Sequence, residues 1–281
     1  MGDPLLSELQ SIAPGLQATE DGVWRYPSTV GTVSYPDNGN AFCGELEDKS
    51  FWFQHRNRCL LAAIQAFPPA GLLLDVGGGN GCVTSALREA GIPCVLLEPG
   101  PQGIRNAQRR GLSPLIRATL QEAGFLPGSL PAVGLFDVLE HIQGDNAFLR
   151  LVHDLLRPGG RLYLTVPAFG FLWSTADVDA GHFRRYSSAE MTQLLEAAGF
   201  HVENQTYFFS SLLLPVILLR ALPSRLGWRK GGKLETYQGE IVQQNGKTNQ
   251  ILTSSLKFEA RRIKQKQRIP IGSSLLVVAK K

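Results

Sequence analysis

The chain has 281 residues, 43% of them hydrophobic, which is an ordinary composition for a soluble protein and enough apolar material for one α/β domain with insertions. Its start lacks the basic leader and the continuous apolar run of a signal peptide, so we expect a cytoplasmic protein. Four scattered cysteines, at positions 43, 59, 82 and 94, favour reduced thiols over a disulfide framework or a zinc site.

Charge is distributed unevenly along the chain. Residues 216–281 carry 14 Lys or Arg against 3 Asp or Glu, a net charge of +11, whereas the preceding residues carry 14 against 21, a net charge of −7. A basic end of this kind suits an anionic partner such as a membrane surface or a phosphorylated substrate. A solvated basic helix face is the alternative explanation.

The first 44 residues are rich in Gly, Pro, Ser and Asn and predict an irregular cap with little helix of its own. Ser50 is a suitable N-cap for a helix that runs from Phe51 to Phe67 and is stopped by two prolines. This helix begins with three successive aromatic residues, 51–53. They either fold over a ligand or pack the helix on a sheet.

The stretch that organises the chain is Leu-Leu-Leu-Asp-Val-Gly-Gly-Gly-Asn-Gly, residues 72–81. Its apolar half predicts a buried parallel strand. Gly77, Gly79 and Gly81 permit a tight turn and a close approach of the backbone to a ligand. A helix over Cys82–Glu89 is expected to follow the turn.

A second strand, over residues 93–97, ends at Glu98. A carboxylate at this place can accept hydrogen bonds from both hydroxyls of a ribose, so the spacing from Gly77 to Glu98 predicts a nucleotide-like ligand. A dinucleotide fingerprint requires another glycine where Cys82 stands, and this disfavours a nicotinamide-dependent oxidoreductase.

The pattern acidic-x-Gly-x-Gly-x-Gly, from Asp75 to Gly81, resembles motif I of the class I S-adenosylmethionine (SAM)-dependent methyltransferases. Leu-Arg-Pro-Gly-Gly, residues 156–160, resembles a turn found across the same family. Leu-Glu-His-Ile, residues 139–142, resembles the corresponding run of the ubiquinone-biosynthesis-like O-methyltransferases. Phe-Trp-Phe-x-x-Arg-Asn, residues 51–57, together with Gly-His-Phe-Arg-Arg-Tyr, residues 181–186, is similar to a bacterial subgroup of type 11/12 enzymes. The resemblance covers residues 50–207 and the last strand.

This resemblance implies SAM as the cofactor and S-adenosyl-L-homocysteine as the product. Arg56 is expected to meet the methionine carboxylate of SAM. Thr119 occupies the slot where many class I enzymes carry an acid that contacts the adenine amino group, so backbone groups at Thr119 and Leu120 are the expected adenine contacts. The full set of residues expected to bind SAM is Arg56, Asp75, Gly77, Gly78, Gly79, Asn80, Glu98, Pro99, Thr119, Leu120, Phe136 and Asp137.

Between the motifs the sequence predicts a helix over residues 102–110 and strands over 115–117 and 131–136. Ligands of open α/β sheets bind beyond the carboxyl ends of the strands. The run Asp-Val-Leu-Glu-His, residues 137–141, follows the last of these strands and is therefore expected to face the transferable methyl group.

After a helix over residues 146–156 and a turn, a strand is predicted over 161–166. The irregular loop 171–186 that follows is dense in Trp, His, Arg, Asp and Tyr, which need partners when they are buried. We interpret it as a wall of the acceptor pocket. The alternative is an internal network in which Asp177 or Asp179 pairs with Arg184 or Arg185. The predicted acceptor-binding residues are Glu140, Trp173, Arg184, Arg185 and Tyr186.

A capping box, Ser187-x-x-Glu190, starts a helix that ends at residue 198. Strands over 201–208 and 273–279 are expected to pair antiparallel, so the residues between them form an insertion. Its apolar run, 211–222, is too short to span a bilayer, and a basic amphipathic helix is predicted over 251–267. The insertion covers the acceptor pocket, forms a homodimer surface, or makes a peripheral membrane contact through residues 211–268.

The sulfonium of SAM makes its methyl group electrophilic without a metal, so the protein must mainly position a nucleophile. A hydroxyl acceptor benefits from a general base, and we interpret His141 and His182 as the candidates. No metal is expected, because nothing in the spacing of the nearby acids and histidines fixes a metal geometry. These residues are Asp137, Glu140, His141, Asp177, Asp179 and His182.

The sequence thus predicts an α/β, Rossmann-like class I methyltransferase fold with a seven-stranded, mostly parallel sheet and an antiparallel last strand. We divide the chain into an N-terminal cap (1–67), a SAM-binding core (68–210), an insertion (211–270) and the last strand (271–281). The expected reaction is methyl transfer to a hydroxyl or carboxyl oxygen of a small-molecule, lipid-linked or glycan acceptor. Nitrogen or peptide methylation and a non-catalytic SAM-binding module are the alternatives. No nucleic-acid partner is expected, because the tip lacks an Asn-Pro-Pro-Tyr type of motif.

Overall fold

A nine-stranded sheet forms the centre of the structure, a computed structural model that describes residues 4–26, 50–228 and 247–281. The strands lie in the order β1-β2-β5-β4-β3-β6-β7-β9-β8. They are β1 (Gln17–Ala18), β2 (Val23–Arg25), β3 (Leu73–Val76), β4 (Cys94–Leu97), β5 (Leu115–Ile116), β6 (Leu130–Phe136), β7 (Leu156–Pro167), β8 (His201–Phe208) and β9 (Ser274–Lys280).

Strands β2 to β7 pair in parallel, whereas β9 runs antiparallel to both of its neighbours. The predicted α/β class, mostly parallel sheet and antiparallel last strand are therefore confirmed. The predicted count of seven strands is wrong, because the short strands β1 and β2 extend the sheet beyond β5. The turn predicted at residues 157–160, between a helix and a strand, is instead a bulge within β7. It lies between the paired residues Leu130–Leu156 and Ala132–Arg161.

Ten α-helical segments accompany the described strands. They are α1 (Pro4–Ile12), α2 (Phe51–Ala66), α3 (Cys82–Glu89), α4 (Pro101–Arg109), α5 (Asp145–Leu155), α6 (Thr175–Asp179), α7 (Ser188–Ala197), α8 (Leu213–Val216), α9 (Leu222–Arg225) and α10 (Lys247–Lys264). Helix α1 corrects the prediction of an irregular start, because its apolar face packs in the core through Leu9 and Ile12. Strands β1 and β2 also belong to this predicted cap, and its later part, within residues 27–49, lies outside the described residues.

The side chains of β3 are buried on both faces of the sheet. Successive side chains of a strand point to opposite faces. Leu74 and Val76 belong to one buried cluster, shared with helices α1, α5 and α7, whereas Leu73 belongs to a second, shared with α2, α3 and α10. Such double burial accounts for the continuous apolar run that the sequence shows before the glycine turn.

The insertion between β8 and β9 is anchored on the core through α10. This helix runs over Lys247–Lys264 and not over the predicted 251–267, since the chain turns at Lys266, which has a φ of 60°. Part of the insertion, residues 229–246, lies outside the described residues. Among the residues that are described, no helix combines the length and the hydropathy needed to span a membrane.

Glu259 of α10 holds three parts of the chain together. Its buried carboxylate accepts hydrogen bonds from the backbone of Phe209 and Ser210, both at 2.8 Å, and from the hydroxyl of Ser210. It also lies 2.9 Å from Nε2 of His55 on α2. Burial alone raises the pKa of Glu259, but the hydrogen bonds from His55 and Ser210 outweigh it and lower the pKa.

We expect Glu259→Ala to lower the free energy of unfolding by about 3–5 kcal/mol, because it removes one partner of a buried pair and leaves buried backbone donors unsatisfied. Urea denaturation followed by far-ultraviolet circular dichroism measures the loss. The neighbouring Phe258→Ala is the matched control, since Phe258 is exposed on the same helix. Equal stabilities of the two variants would contradict an anchoring role for Glu259.

Candidate active site at the strand tips

The glycine turn after β3 adopts the backbone geometry that the sequence predicts. Gly77, Gly79 and Gly81 have φ values of 68°, 53° and 78°, a region that favours glycine. Gly81 is also the N-cap of α3. The turn therefore passes from a buried strand into a helix and leaves the backbone of Gly79 close to the tip of β4.

Asp75 lies beneath this turn and is fully buried. Its carboxylate accepts a hydrogen bond from the hydroxyl of Thr84 at 2.6 Å. Burial raises the pKa of Asp75 to about 6, although the Thr84 bond and the charge of Arg56 act to lower it. A Cβ at Gly78 would lie 2.8 Å from Oδ2 of Asp75, so the packing requires glycine there.

Glu98, at the carboxyl end of β4, closes the turn from the other side. Its two carboxylate oxygens accept hydrogen bonds from the backbone of Gly79 at 3.0 Å and of Gly100 at 2.7 Å. Burial raises the pKa of Glu98 to about 7 despite these bonds. Asn80 is also buried and accepts a hydrogen bond from Asn106 of α4 at 2.8 Å.

Beyond β5, the hydroxyl of Thr119 donates a hydrogen bond to Glu122 at 2.7 Å. Glu122 thus brings a carboxylate to the segment in which Thr119 occupies the position expected for an acid. The sequence interpretation missed it, although Thr119-x-x-Glu122 has the spacing of a capping box, which would have placed the two side chains together. Leu120 is buried next to this pair.

Asp137, at the tip of β6, has an unusual backbone conformation. Phe136 ends the strand, and Asp137 follows with a φ of 60°, a conformation that non-glycine residues rarely adopt. Its carboxylate accepts hydrogen bonds from Arg56 at 2.7 Å and from the hydroxyl of Thr165 at 3.0 Å. Backbone outliers of this type cluster at functional sites, where the surroundings hold them in place.

The structure brings the two predicted histidines together. The rings of His141 and His182 lie 4.8 Å apart, centroid to centroid, in an edge-to-face arrangement. The backbone of Phe183 donates a hydrogen bond to the carbonyl of Glu140 at 2.8 Å and thereby fastens the loop to the tip. Burial and the neighbouring His182 lower the pKa of His141 to about 4, so its ring is neutral at physiological pH.

Glu140 adds a buried carboxyl group to the histidine pair. Burial and the nearby Asp137 raise its pKa well above the usual range. One ligand atom from each of Glu140, His141 and His182 lies within 4.8 Å of the others, so these three side chains are the part of the site that could hold a metal ion.

The loop that carries His182 is more regular than predicted. It contains a turn of 3-10 helix over Gly170–Leu172 and the helix α6, which begins with a capping box between Ser174 and Asp177. Asp177 lies 2.9 Å from Nδ1 of His182 and accepts a hydrogen bond from Arg185 at 2.8 Å. Burial acts to raise the pKa of Asp177, but the contacts with His182 and Arg185 lower it, so the carboxylate is ionised and orients both side chains.

Other side chains predicted to bind the acceptor participate in a second network. Arg184 donates a hydrogen bond to Asp145 at 2.7 Å, and the hydroxyl of Tyr186 donates one to the same carboxylate at 3.0 Å. Trp173 is half-buried at the start of α6. The internal pairing considered for this loop thus exists for Arg185 with Asp177, whereas the partner of Arg184 is Asp145 of α5.

We expect Gly103→Ala to lower the free energy of unfolding by about 1–3 kcal/mol, as overpacking does. Gly103 of α4 is buried, and an added Cβ would meet the carbonyl oxygen of Gly79 at 2.7 Å and Cγ of Glu98 at 2.9 Å. This clash exceeds the gain of about 1 kcal/mol that alanine brings to a helix. Thermal unfolding measures the change, with Gly170→Ala, where the added Cβ meets open space, as the control. A Gly103→Ala variant as stable as the parent would contradict this close approach.

Comparison with known proteins agrees with this architecture. Residues 47–205, more than half of the chain, match the methyltransferase domain family. A ubiquinone biosynthesis O-methyltransferase from Xanthomonas campestris is 29% identical over 103 residues, which are 34% of this chain and 43% of that protein. The match thus spans less than half the length of this relative.

Solved structures share the fold at low sequence identity. A SAM-dependent methyltransferase from Archaeoglobus fulgidus superposes with a TM-score of 0.51 and 18% identity, covering 80% of this chain and 94% of that one. A phosphoethanolamine N-methyltransferase 2 from Haemonchus contortus, solved in complex with SAM, gives a TM-score of 0.53 and 18% identity over 88% of this chain and 58% of its own. From its domain match and its class I fold, the chain belongs to the SAM-dependent methyltransferases.

Proposed function

We propose that this enzyme transfers the methyl group of SAM to a hydroxyl or carboxyl oxygen of a small-molecule, lipid-linked or glycan acceptor. The observation that supports an oxygen acceptor is the pair His141–His182, in which the ionised Asp177 orients one ring. His141 follows the tip of β6, where the fold class places the reacting group of its ligand, and His182 of the later loop lies against it. The cytoplasmic location stays a prediction.

In this proposal the glycine turn holds the methionine part of SAM and Glu98 holds its ribose. Glu98 is suited to that task because both of its oxygens are fixed by backbone donors and its burial excludes competing water. Arg56 lies beside Asp137 at the inner end of the site, where it can meet the methionine carboxylate. Thr119 and Leu120 border the adenine end, and Pro99 follows the ribose carboxylate.

The proposed reaction is an in-line displacement at the methyl carbon. The acceptor oxygen would attack the methyl carbon, the bond from carbon to sulfur would break, and S-adenosyl-L-homocysteine would leave. When the acceptor is a hydroxyl, its proton passes to Nε2 of His182, because Nδ1 of the same ring faces Asp177. His141 is neutral and lies against His182, so it orients the acceptor without adding a competing positive charge.

We expect Glu98→Ala to weaken SAM binding by about 1–3 kcal/mol, because two charge-assisted hydrogen bonds to the ribose are lost. Isothermal titration calorimetry measures the affinity, and Glu89→Ala, on an exposed face of α3, is the control. Since the pKa of Glu98 is about 7 and only the ionised form accepts both hydroxyls, affinity should also fall as the pH is lowered from about 8 to about 6. Affinity that is independent of Glu98 would remove it from the ribose site.

We expect His182→Ala to lower turnover by about 100- to 10,000-fold while leaving SAM affinity nearly unchanged, because general-base catalysis contributes a factor of this size. The readout is transfer of a labelled methyl group to phenols, alcohols, amines, peptides and a lipid extract. His201→Ala is the control, since His201 is exposed on β8.

Two outcomes would change the assignment made for His182, and two others would change the proposed reaction. Lost SAM binding would place the residue in the cofactor site. Turnover that is abolished by a chelator and restored by a divalent cation would make Glu140, His141 and His182 metal ligands instead. Methyl transfer to amines or peptides alone would favour the nitrogen or peptide alternative, and SAM binding without any transfer would favour a non-catalytic module.

A further inference from the structure

The helical segment at the start of the insertion exposes a run of large apolar side chains. We call this run the helical patch, and it consists of Leu214, Leu218, Leu219, Leu222, Leu226 and Trp228. Their exposed fractions lie between 44% and 78%. Other exposed large hydrophobic residues of the described chain, such as Leu126 and Ile271, do not neighbour one another in the sequence.

The exposure of the helical patch follows from how the segment packs. Helices α8 and α9 join through a π-helical turn over Ile217–Ala221, and the buried side chains of this stretch are Leu213 and Ala221. Leu214, Leu218 and Leu222 follow one another at intervals of four residues and so share one face of the helix. A group of neighbouring large apolar side chains exposed in this way marks an interaction site.

The helical patch adjoins the proposed acceptor site. The backbone of Thr175 donates a hydrogen bond to the hydroxyl of Ser224 at 3.0 Å, and the turn Gly170–Leu172 packs against the π-helical turn. The loop fastened in this way carries Asp177 and His182. It exposes three further apolar side chains, Phe171, Val178 and Phe183, and so continues the apolar surface toward the histidine pair.

Positive charge accompanies the helical patch. Residues 204–228 contain no Asp or Glu, whereas Arg220 and Arg225 belong to the same helical segment, and the sequence continues with Arg229, Lys230 and Lys233. A twofold dimer formed through this segment would bring like charges together, because the same surface faces itself. Anionic lipid headgroups neutralise them, each basic residue near such a surface contributing about 1 kcal/mol.

We propose that the helical patch docks the enzyme on an anionic lipid bilayer and that the acceptor is an amphipathic lipid whose oxygen-bearing head enters the site from that surface. The leucines lie at the boundary between headgroups and acyl chains, with the axis of the helix in the plane of the interface. Trp228 suits the headgroup level, where its amphipathic ring is favoured. The proposed docking rests only on the exposed apolar and basic side chains of this surface, whereas the identity of the acceptor also rests on the proposed methyl transfer.

The test is sedimentation of the full chain with vesicles of phosphatidylglycerol and phosphatidylcholine in equal amounts, compared with vesicles of phosphatidylcholine alone. We expect binding to the anionic vesicles that weakens as salt is added. Leu218→Glu and Leu219→Glu should each weaken it about tenfold, and Arg225→Gln about fivefold. Leu126→Glu is the control, because Leu126 is 45% exposed on the segment before β6, away from the carboxyl ends of the strands.

SAM affinity, measured by calorimetry for each variant, shows that the fold is intact. Unchanged vesicle binding by the leucine variants, or no binding by the parent chain, overturns the docking. Light scattering that shows a dimer, which Leu218→Glu dissociates, overturns it in favour of a homodimer surface. If the protein binds the vesicles but no lipid in the extract accepts the labelled methyl group, the lipid acceptor is wrong while the docking holds. If no acceptor of any class receives the methyl group, the proposed function itself fails.

Discussion

The positive charge of Arg56 stabilises an arrangement of acids that would otherwise repel one another. Its guanidinium lies 2.7 Å from Asp137, and its charge lowers the pKa of both Asp75 and Glu140, although burial keeps these two pKa values raised. Like charges brought together in a region of low polarity destabilise their ionised forms unless a cation compensates them. Arg56 itself is held over the rings of Trp52 and Phe53 by cation–π contacts. The strand tips therefore depend on the helix that precedes the first motif.

The acceptor side of the site is built as a series of contacts between distant segments. Glu140 at the tip of β6 accepts a backbone hydrogen bond from the loop, and Asp177 within the loop fixes both His182 and Arg185. The loop is in turn fastened to the insertion through Ser224. A displacement of α8 and α9 would thus reach the histidine pair through backbone and side-chain hydrogen bonds, which couples the exposed patch to the proposed chemistry.

Local patterns allowed accurate predictions, whereas contacts between distant segments did not. The glycine turn and the N-cap Ser50 follow from backbone rules that act over a few residues, and the structure confirms both. The two-residue strand β1 has no apolar alternation that could reveal it, because both of its residues are exposed. Asp145 binds Arg184 and Tyr186 across 39 and 41 residues, and no sequence spacing indicates such a partner. The contact between His141 and His182 likewise joins two distant segments, and no sequence spacing indicates it.

In the proposed reaction one positive charge moves through the site, and a carboxylate lies where that charge ends. The charge would start on the sulfonium of SAM, and it ends as the proton on His182 beside the ionised Asp177. A fixed negative group at the place where positive charge develops stabilises the transition state more than the ground state. The low pKa of His141 keeps a second positive charge away from the same place. A bilayer against the helical patch would exclude water from this path, and electrostatic interactions strengthen when water is excluded.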